Sequence, residues 1–281
     1  MTSVLVIQPD PSDPLGPLGD WLTAAGAEPR VVTPGGNGDG GGDGDGDGND
    51  GNGNGNDGND GNGNGIYGDR LPADLDGYAG LVVLGGAMGA NDDFDHPWLA
   101  DVRRLLANAV TRQVPTLAIC LGAQLLAVAA GGGVSVGDEG PEVGPDVVAK
   151  RDAAWTDPLL AELPLMPDVL HFHSDVVDRL PPNTELLASA ARYPNQAFRV
   201  GRCGYGFQFH IETTTDTVLA WARDNPEPVE FARPDALTVE RLDRLHADLE
   251  ETWRPVAERF VRLAAGELDA AARPQLPLLG H

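Results

Sequence analysis

The stretch Pro115-Thr-Leu-Ala-Ile-Cys-Leu-Gly-Ala-Gln124 constrains the fold more than any other part of the chain. A short apolar run ends at a thiol, a glycine follows, and a helix-prone stretch runs from Ala123 to Ala130. That order describes a strand, a sharp turn and a helix, with the sulfur at the turn on a sheet edge. It also places the sulfur at the positive end of the helix dipole, the setting in which a cysteine serves as nucleophile. Some ninety residues later the chain reads Phe207-Gln-Phe-His-Ile-Glu212. Read as a second short strand, it carries His210 and Glu212 at i and i+2, on one face. A nucleophile, a base and a group that orients the base are the parts of a covalent acyl-transfer site.

Around these segments the pattern alternates strand and helix. Val4–Ile7 reads as a strand, Leu15–Ala25 as a helix stopped by Gly26, and Glu28–Val32 as a second strand. Residues 35–65 contain only Gly, Asp and Asn. With no apolar side chain to bury, that segment is expected to be a disordered surface insertion. Its run Asp43-Gly-Asp-Gly-Asp-Gly48 copies the start of an EF-hand loop, but position twelve is Asn54 where a glutamate should close it. Leu81–Leu84 reads as a buried strand. Asp95 is the N-cap candidate of a helix that carries Trp98, Val102, Leu105, Leu106 and Ala109 at helical spacing. Later strand candidates are Val147–Lys150, Val169–His171, Glu185–Ala190, Gln196–Val200 and Tyr205–Phe209. Helices follow at Thr215–Arg223 and Leu237–Ala265. The early alternation predicts an α/β fold with a doubly wound, mostly parallel sheet and flanking helices, and the late run of strands predicts a small added sheet. Residues 1–225 form the expected domain, interrupted by the insertion, and 226–281 a helical extension.

Composition narrows the function classes. Asp and Glu number 43 against 19 Lys and Arg, and Lys150 is the single lysine. Such a surface repels phosphates and anionic lipids, which argues against nucleic acid and membrane partners. Excess Asp with almost no Lys suggests a salt-rich cytoplasm, where self-repulsion is screened; a GC-rich genome is the alternative source of the bias. No apolar run approaches the ~20 residues of a membrane helix, and Met1-Thr-Ser-Val-Leu-Val-Ile7 has no basic region. Two cysteines make no disulfide framework. A cytoplasmic, reduced protein is the expectation.

Four segments together resemble the class I glutamine amidotransferase family, most closely the free-standing members similar to the glutaminase part of GMP synthase. They are the elbow Ala118-Ile-Cys120-Leu-Gly122-Ala-Gln124, the dyad His210 and Glu212, the glycine turn Leu81-Val-Val-Leu-Gly85-Gly-Ala-Met-Gly89, and the loop His171-Phe-His173-Ser-Asp175. The resemblance covers roughly residues 3–223. Ala118 stands where the family commonly has glycine.

The resemblance implies a flavodoxin-like fold and a Cys120–His210–Glu212 triad. It also implies an oxyanion hole from the backbone N–H groups of Gly86 and Leu121, and a substrate pocket lined by Gln124, His173, Ser174 and Asp175. It implies no cofactor and no metal, and no carboxylate or thiol cluster completes a metal site with His171 and His173. Cys203 lacks an elbow and reads as structural. The implied reaction is release of ammonia from glutamine through a γ-glutamyl thioester, with the ammonia passing to a separate synthase partner. The sequence holds no pyrophosphate-binding glycine loop of its own. A γ-glutamyl peptidase or γ-glutamyl amide hydrolase would use the same triad, and a non-catalytic binding or stress protein could share the fold.

Overall fold

The apolar run Val4–Ile7 makes β1 (Thr2–Ile7) a strand covered on both faces along those four residues. Val4 and Val6 join one hydrophobic cluster, Leu5 and Ile7 the other, as a period of two requires. The computed structural model describes residues 1–35 and 69–272. After β1 come α1 (Gly16–Ala24), β2 (Ala27–Val32), β3 (Gly80–Val83), α2 (Trp98–Arg112), β4 (Thr116–Ile119) and α3 (Leu121–Ala129). Next are β5 (Gly133–Val136), β6 (Glu142–Val147), β7 (Ala149–Lys150) and a 3-10 turn (Asp152–Thr156). The last strands are β8 (Asp168–His173), β9 (Asp175–Arg179), β10 (Thr184–Ser189), β11 (Ala197–Val200) and β12 (Gly204–Phe207). The chain then turns helical, with α4 (Thr215–Asp224), α5 (Pro226–Val229) and α6 (Val239–Ala264).

Eight strands form one sheet in the order β2-β1-β3-β4-β12-β11-β10-β7. From β2 to β12 all neighbours are parallel; β11, β10 and β7 continue the sheet antiparallel. Helices α1, α4 and α6 bury their apolar sides on one face, α2 and α3 on the other. This is the doubly wound, mostly parallel α/β fold expected. The small added sheet takes another form than anticipated. It is two separate antiparallel pairs, β5 with β9 and β6 with β8, while four late strands extend the main sheet instead. Which strands pair over such distances is decided by packing, and a local apolar pattern carries no record of it.

One boundary also shifts. Asp95 does not cap α2; Pro97 precedes the first helical residue and no side chain caps that end. A proline there already has a helical φ and no N–H needing a partner. Helix α6 belongs to the core. Leu242, Leu245, Leu249, Trp253, Val256 and Phe260 lie in the same cluster as Val4 and Val6 of β1, and Trp253 Nε1 donates to the Asp168 carbonyl at 2.9 Å. Lys150, the only lysine, is buried, donating from Nζ to the carbonyls of Ala161 and Leu163 at 2.6 and 3.0 Å. The insertion expected to be disordered lies, apart from Gly35, outside the described residues, as does its EF-hand-like run.

Candidate active site

The C-terminal ends of β4 and β12 sit side by side, with Ile119 paired to Phe207. Ligands bind outside the carboxyl ends of parallel strands in doubly wound sheets, and both reactive segments leave the sheet there. Cys120 follows β4 directly, with φ 49° and ψ −109°. A non-glycine residue in such a region costs of the order of 1–3 kcal/mol and persists only when the surroundings over-determine it. Here its N–H donates to the Phe207 carbonyl at 2.7 Å, and its own carbonyl accepts the Gln124 N–H at 3.1 Å in the first turn of α3. Gly122 lets that turn approach β3: a Cβ there would lie 2.2 Å from the Val83 carbonyl oxygen. The extra methyl of Ala118 is fully buried and leaves the pairing of β4 with β3 and β12 intact.

The dyad stands just past a strand and not within one, as the sequence pattern had suggested. β12 ends at Phe207, and His210 is held instead by an isolated antiparallel bridge to Leu170 of β8. The His210 N–H donates to the Leu170 carbonyl at 2.8 Å. The pairing of imidazole and carboxylate survives this change. Nδ1 of His210 donates to Oε1 of Glu212 at 2.7 Å, and Oε2 accepts the Ile211 N–H at 2.8 Å. Glu212 is fully buried and His210 is 2% exposed. Burial opposes charging the ring, but the negative charges of Glu212 and then Cys120 outweigh it and hold the His210 pKa well above its ordinary value. Trp221 of α4 packs on the ring at 4.9 Å between centroids.

A cavity of about 460 Å³ opens on this ensemble. Its walls include Gly86, Cys120, Gln124, His173, Ser174, Asp175 and His210, so seven of the nine residues singled out in the sequence meet at one opening. Glu212 stands behind His210, and Leu121 behind the elbow. Gln124 and His173 are already engaged with the chain. Nε2 of Gln124 donates to the Asp175 carbonyl, and Nδ1 of His173 donates to the same oxygen, each at 3.0 Å. Gly86 and Leu121 are neighbours: a Cβ on Gly86 would lie 3.1 Å from Leu121 Cδ2.

Sequence reasoning missed Asp13. It lies in the loop after β1, lines the cavity, and is 4% exposed, with Oδ1 lacking a hydrogen-bond partner among the described residues. A Cβ on Gly85 would lie 2.0 Å from Asp13 Oδ2 and 3.1 Å from His210 Cε1, so only glycine fits between them. Burial raises the Asp13 pKa to about 7, against the lowering effect of His210; Glu212 and Asp10 add to the rise. The available signal was position, since a loop leaving the carboxyl end of a parallel strand borders the ligand crevice.

Among the described residues, two groups of three side chains could hold a metal ion. One is Asp13, His210 and Glu212, where the His210–Glu212 hydrogen bond already joins two members. The other joins His171 and His173 to Glu142, a carboxylate that the sequence reading did not place beside them. Strand pairing places Glu142 of β6 directly opposite His173 of β8. Cys203 is buried, and burial pushes its pKa up to about 11 against the charges of Arg202 and Arg199. Among the described residues no helix is long and apolar enough to cross a membrane.

The family model described as Glutamine amidotransferase class-I matches residues 68–218. The glutamine amidotransferase-like protein YfeJ of Salmonella typhimurium is 32% identical over 154 residues, 54% of this chain and 64% of that protein. The glutamine-hydrolysing GMP synthase of Christiangramia forsetii is 31% identical over 53% of this chain, which corresponds to 27% of the synthase. The chain thus spans under two thirds of these relatives. γ-Glutamyl peptidase 4 of Arabidopsis thaliana is 27% identical over 67% of this chain and 75% of that peptidase. The crystal structure of a glutamine amidotransferase from Thermotoga maritima superimposes with a TM-score of 0.72 at 26% identity, covering 92% of this chain and 98% of that one.

Proposed function

Since the chain belongs to the class I glutamine amidotransferase family, we propose that it is a cysteine amidohydrolase that cleaves the side-chain amide of glutamine. The observation that carries this reading is the buried His210–Glu212 pair beside a cysteine on a strained elbow at the mouth of a cavity. With Nδ1 of His210 donating to Glu212, Nε2 remains to exchange a proton with the sulfur. The Cys120 thiolate attacks the amide carbon, and the backbone N–H groups of Gly86 and Leu121 stabilise the resulting oxyanion. His210 gives its proton to the departing nitrogen as the C–N bond breaks, leaving ammonia and a γ-glutamyl thioester. A water molecule then gives a proton to His210 and adds to the thioester carbon, and the C–S bond breaks to release glutamate. Glu212 holds the ring tautomer and stabilises the imidazolium. Gln124, His173, Ser174 and Asp175 line the route to the sulfur and orient the substrate. The reaction needs no cofactor.

The fate of the ammonia divides two readings. GMP synthase relatives favour delivery to a separate synthase partner. The likeness to γ-glutamyl peptidase 4, which extends over 75% of that protein, supports a free-standing hydrolase of γ-glutamyl peptides or amides. Hydrolysis rates on glutamine, γ-glutamyl dipeptides and γ-glutamyl amines separate them. Preference for glutamine supports the first, and preference for a bulkier leaving amine the second. A protein inert on the whole panel would leave neither standing and would point to a non-catalytic role on this fold.

A further inference from the structure

Strands β6 and β8 are antiparallel, with Glu142 opposite His173 and Gly144 opposite His171. The two imidazoles sit at i and i+2 of β8, hence on one face, with ring centroids 5.5 Å apart. Oε2 of Glu142 lies 3.1 Å from His173 Nε2 and 3.7 Å from His171 Nδ1. The three side chains are 11%, 2% and 3% exposed, in the order Glu142, His173, His171.

The hydrogen bonding here is incomplete. A carbonyl can only accept, so the contact of His173 Nδ1 with the Asp175 carbonyl puts the ring proton on Nδ1. Nε2 then faces the Glu142 carboxylate oxygen, and a cation between them, a proton or a metal ion, joins the two. Among the described residues His171 has no hydrogen-bond partner on either ring nitrogen, although buried polar atoms are normally paired.

From this geometry we propose that Glu142, His171 and His173 bind one divalent transition-metal ion of the zinc class. One donor atom from each residue lies within 4.8 Å of the others. Ligands bonded at about 2.1 Å around tetrahedral or octahedral zinc stand about 3.0–3.4 Å apart, close to the Glu142–His173 spacing. Two imidazoles with one carboxylate suit Zn²⁺ and its neighbours, and not Mg²⁺ or Ca²⁺, which take oxygen. Supporting contacts are present: the Asp175 carbonyl fixes the His173 tautomer, and Gln196 Nε2 donates to Glu142 Oε2 at 2.7 Å. Glu142 and His171 also border a second cavity of about 580 Å³, which gives the ion an entry path and room for further ligands. His173 borders the catalytic cavity, so the ion would tie the β6–β8 pair to that wall.

The experiment strips the full chain with a chelator and titrates it with Zn²⁺ and with Co²⁺. Bound metal is measured by elemental analysis, the Co²⁺ ligand field by visible absorption, and the Zn²⁺ shell by X-ray absorption. Expected are one equivalent of metal, a shell of nitrogen and oxygen including two imidazoles, and a rise in melting temperature. The same uptake is expected in Cys120→Ala, and an affinity loss of roughly a hundredfold or more in His171→Asn and Glu142→Gln, judged on variants whose circular dichroism matches the parent. No stoichiometric uptake by the parent overturns the proposal. So does sulfur in the shell, uptake that vanishes in Cys120→Ala, or uptake unchanged in both cluster variants. If the variants do not fold, the shell measured on the parent alone decides.

Discussion

Replacing Asp13 with Asn should change how stability depends on pH, and the size of the change follows from its burial. The folded chain holds this carboxyl's proton up to about pH 7, where the ordinary value is 3.8. A group that binds its proton more tightly in the folded state loses stability as pH rises. Below pH 3.8 both states are protonated and there is no penalty. Between 3.8 and 7 the unfolded chain ionises while the folded one does not, and the penalty grows. Above 7 it levels off at about 4 kcal/mol, three pKa units at 1.36 kcal/mol each; about 3 kcal/mol of this accrues between pH 4.5 and 8. Asparagine has nearly the same shape and cannot ionise. Relative to the parent, Asp13→Asn should therefore gain about 3 kcal/mol over that interval, a relative rise of about 6–12 °C in melting temperature for a domain of this size. The assay is urea and thermal unfolding of both proteins from pH 4.5 to 8.5; titrations common to both cancel in the difference. In a His210→Asn background the ring's lowering effect is gone, so the transition should move to higher pH. A parent–variant difference that stays flat with pH would refute the reasoning, since a buried carboxyl of raised pKa cannot be silent there.

Cys120→Ala should abolish turnover on every γ-glutamyl substrate and leave the melting curve nearly unchanged; measurable turnover would end the thioester mechanism. A γ-glutamyl affinity reagent should label Cys120 and spare Cys203, which is buried and holds its proton to about pH 11; peptide mapping that found equal labelling would remove the elbow's role. His210→Asn should cost about 10²–10⁴ in kcat, and Glu212→Gln less, since it disturbs tautomer and orientation only; equal losses would assign Glu212 a more direct part. Gly122→Ala should destabilise by about 1–3 kcal/mol and depress turnover, because the new Cβ would sit 2.2 Å from the Val83 oxygen; a variant as stable and active as the parent would contradict the close approach of α3 to β3.

Local signals in the sequence were enough for the parts that depend on neighbours along the chain. The apolar run into Cys120, the glycine two residues on and the helix-forming stretch beyond it specify an elbow, because strand, turn and helix each answer to residues a few positions away. Spacing alone likewise placed an imidazole within reach of a carboxylate at 210 and 212, and the hydrogen bond forms even though that segment is not a regular strand. The short apolar run Val4–Ile7 likewise announced a strand, and its burial on both faces came from the fold. The rest depended on contacts between distant segments. Only the parallel pairing of β4 with β12 sets Cys120 beside His210. Only closure of the β1 loop over the sheet edge brings Asp13 against His210, and only the β6–β8 register delivers Glu142 to two histidines. Asp13 and Glu142 carry no local mark, since a carboxylate in an acidic chain looks like any other until burial removes its water. The physical reason is the same in each case: periodicity records which face of an element is buried, and the sheet's long-range pairing decides what that face meets.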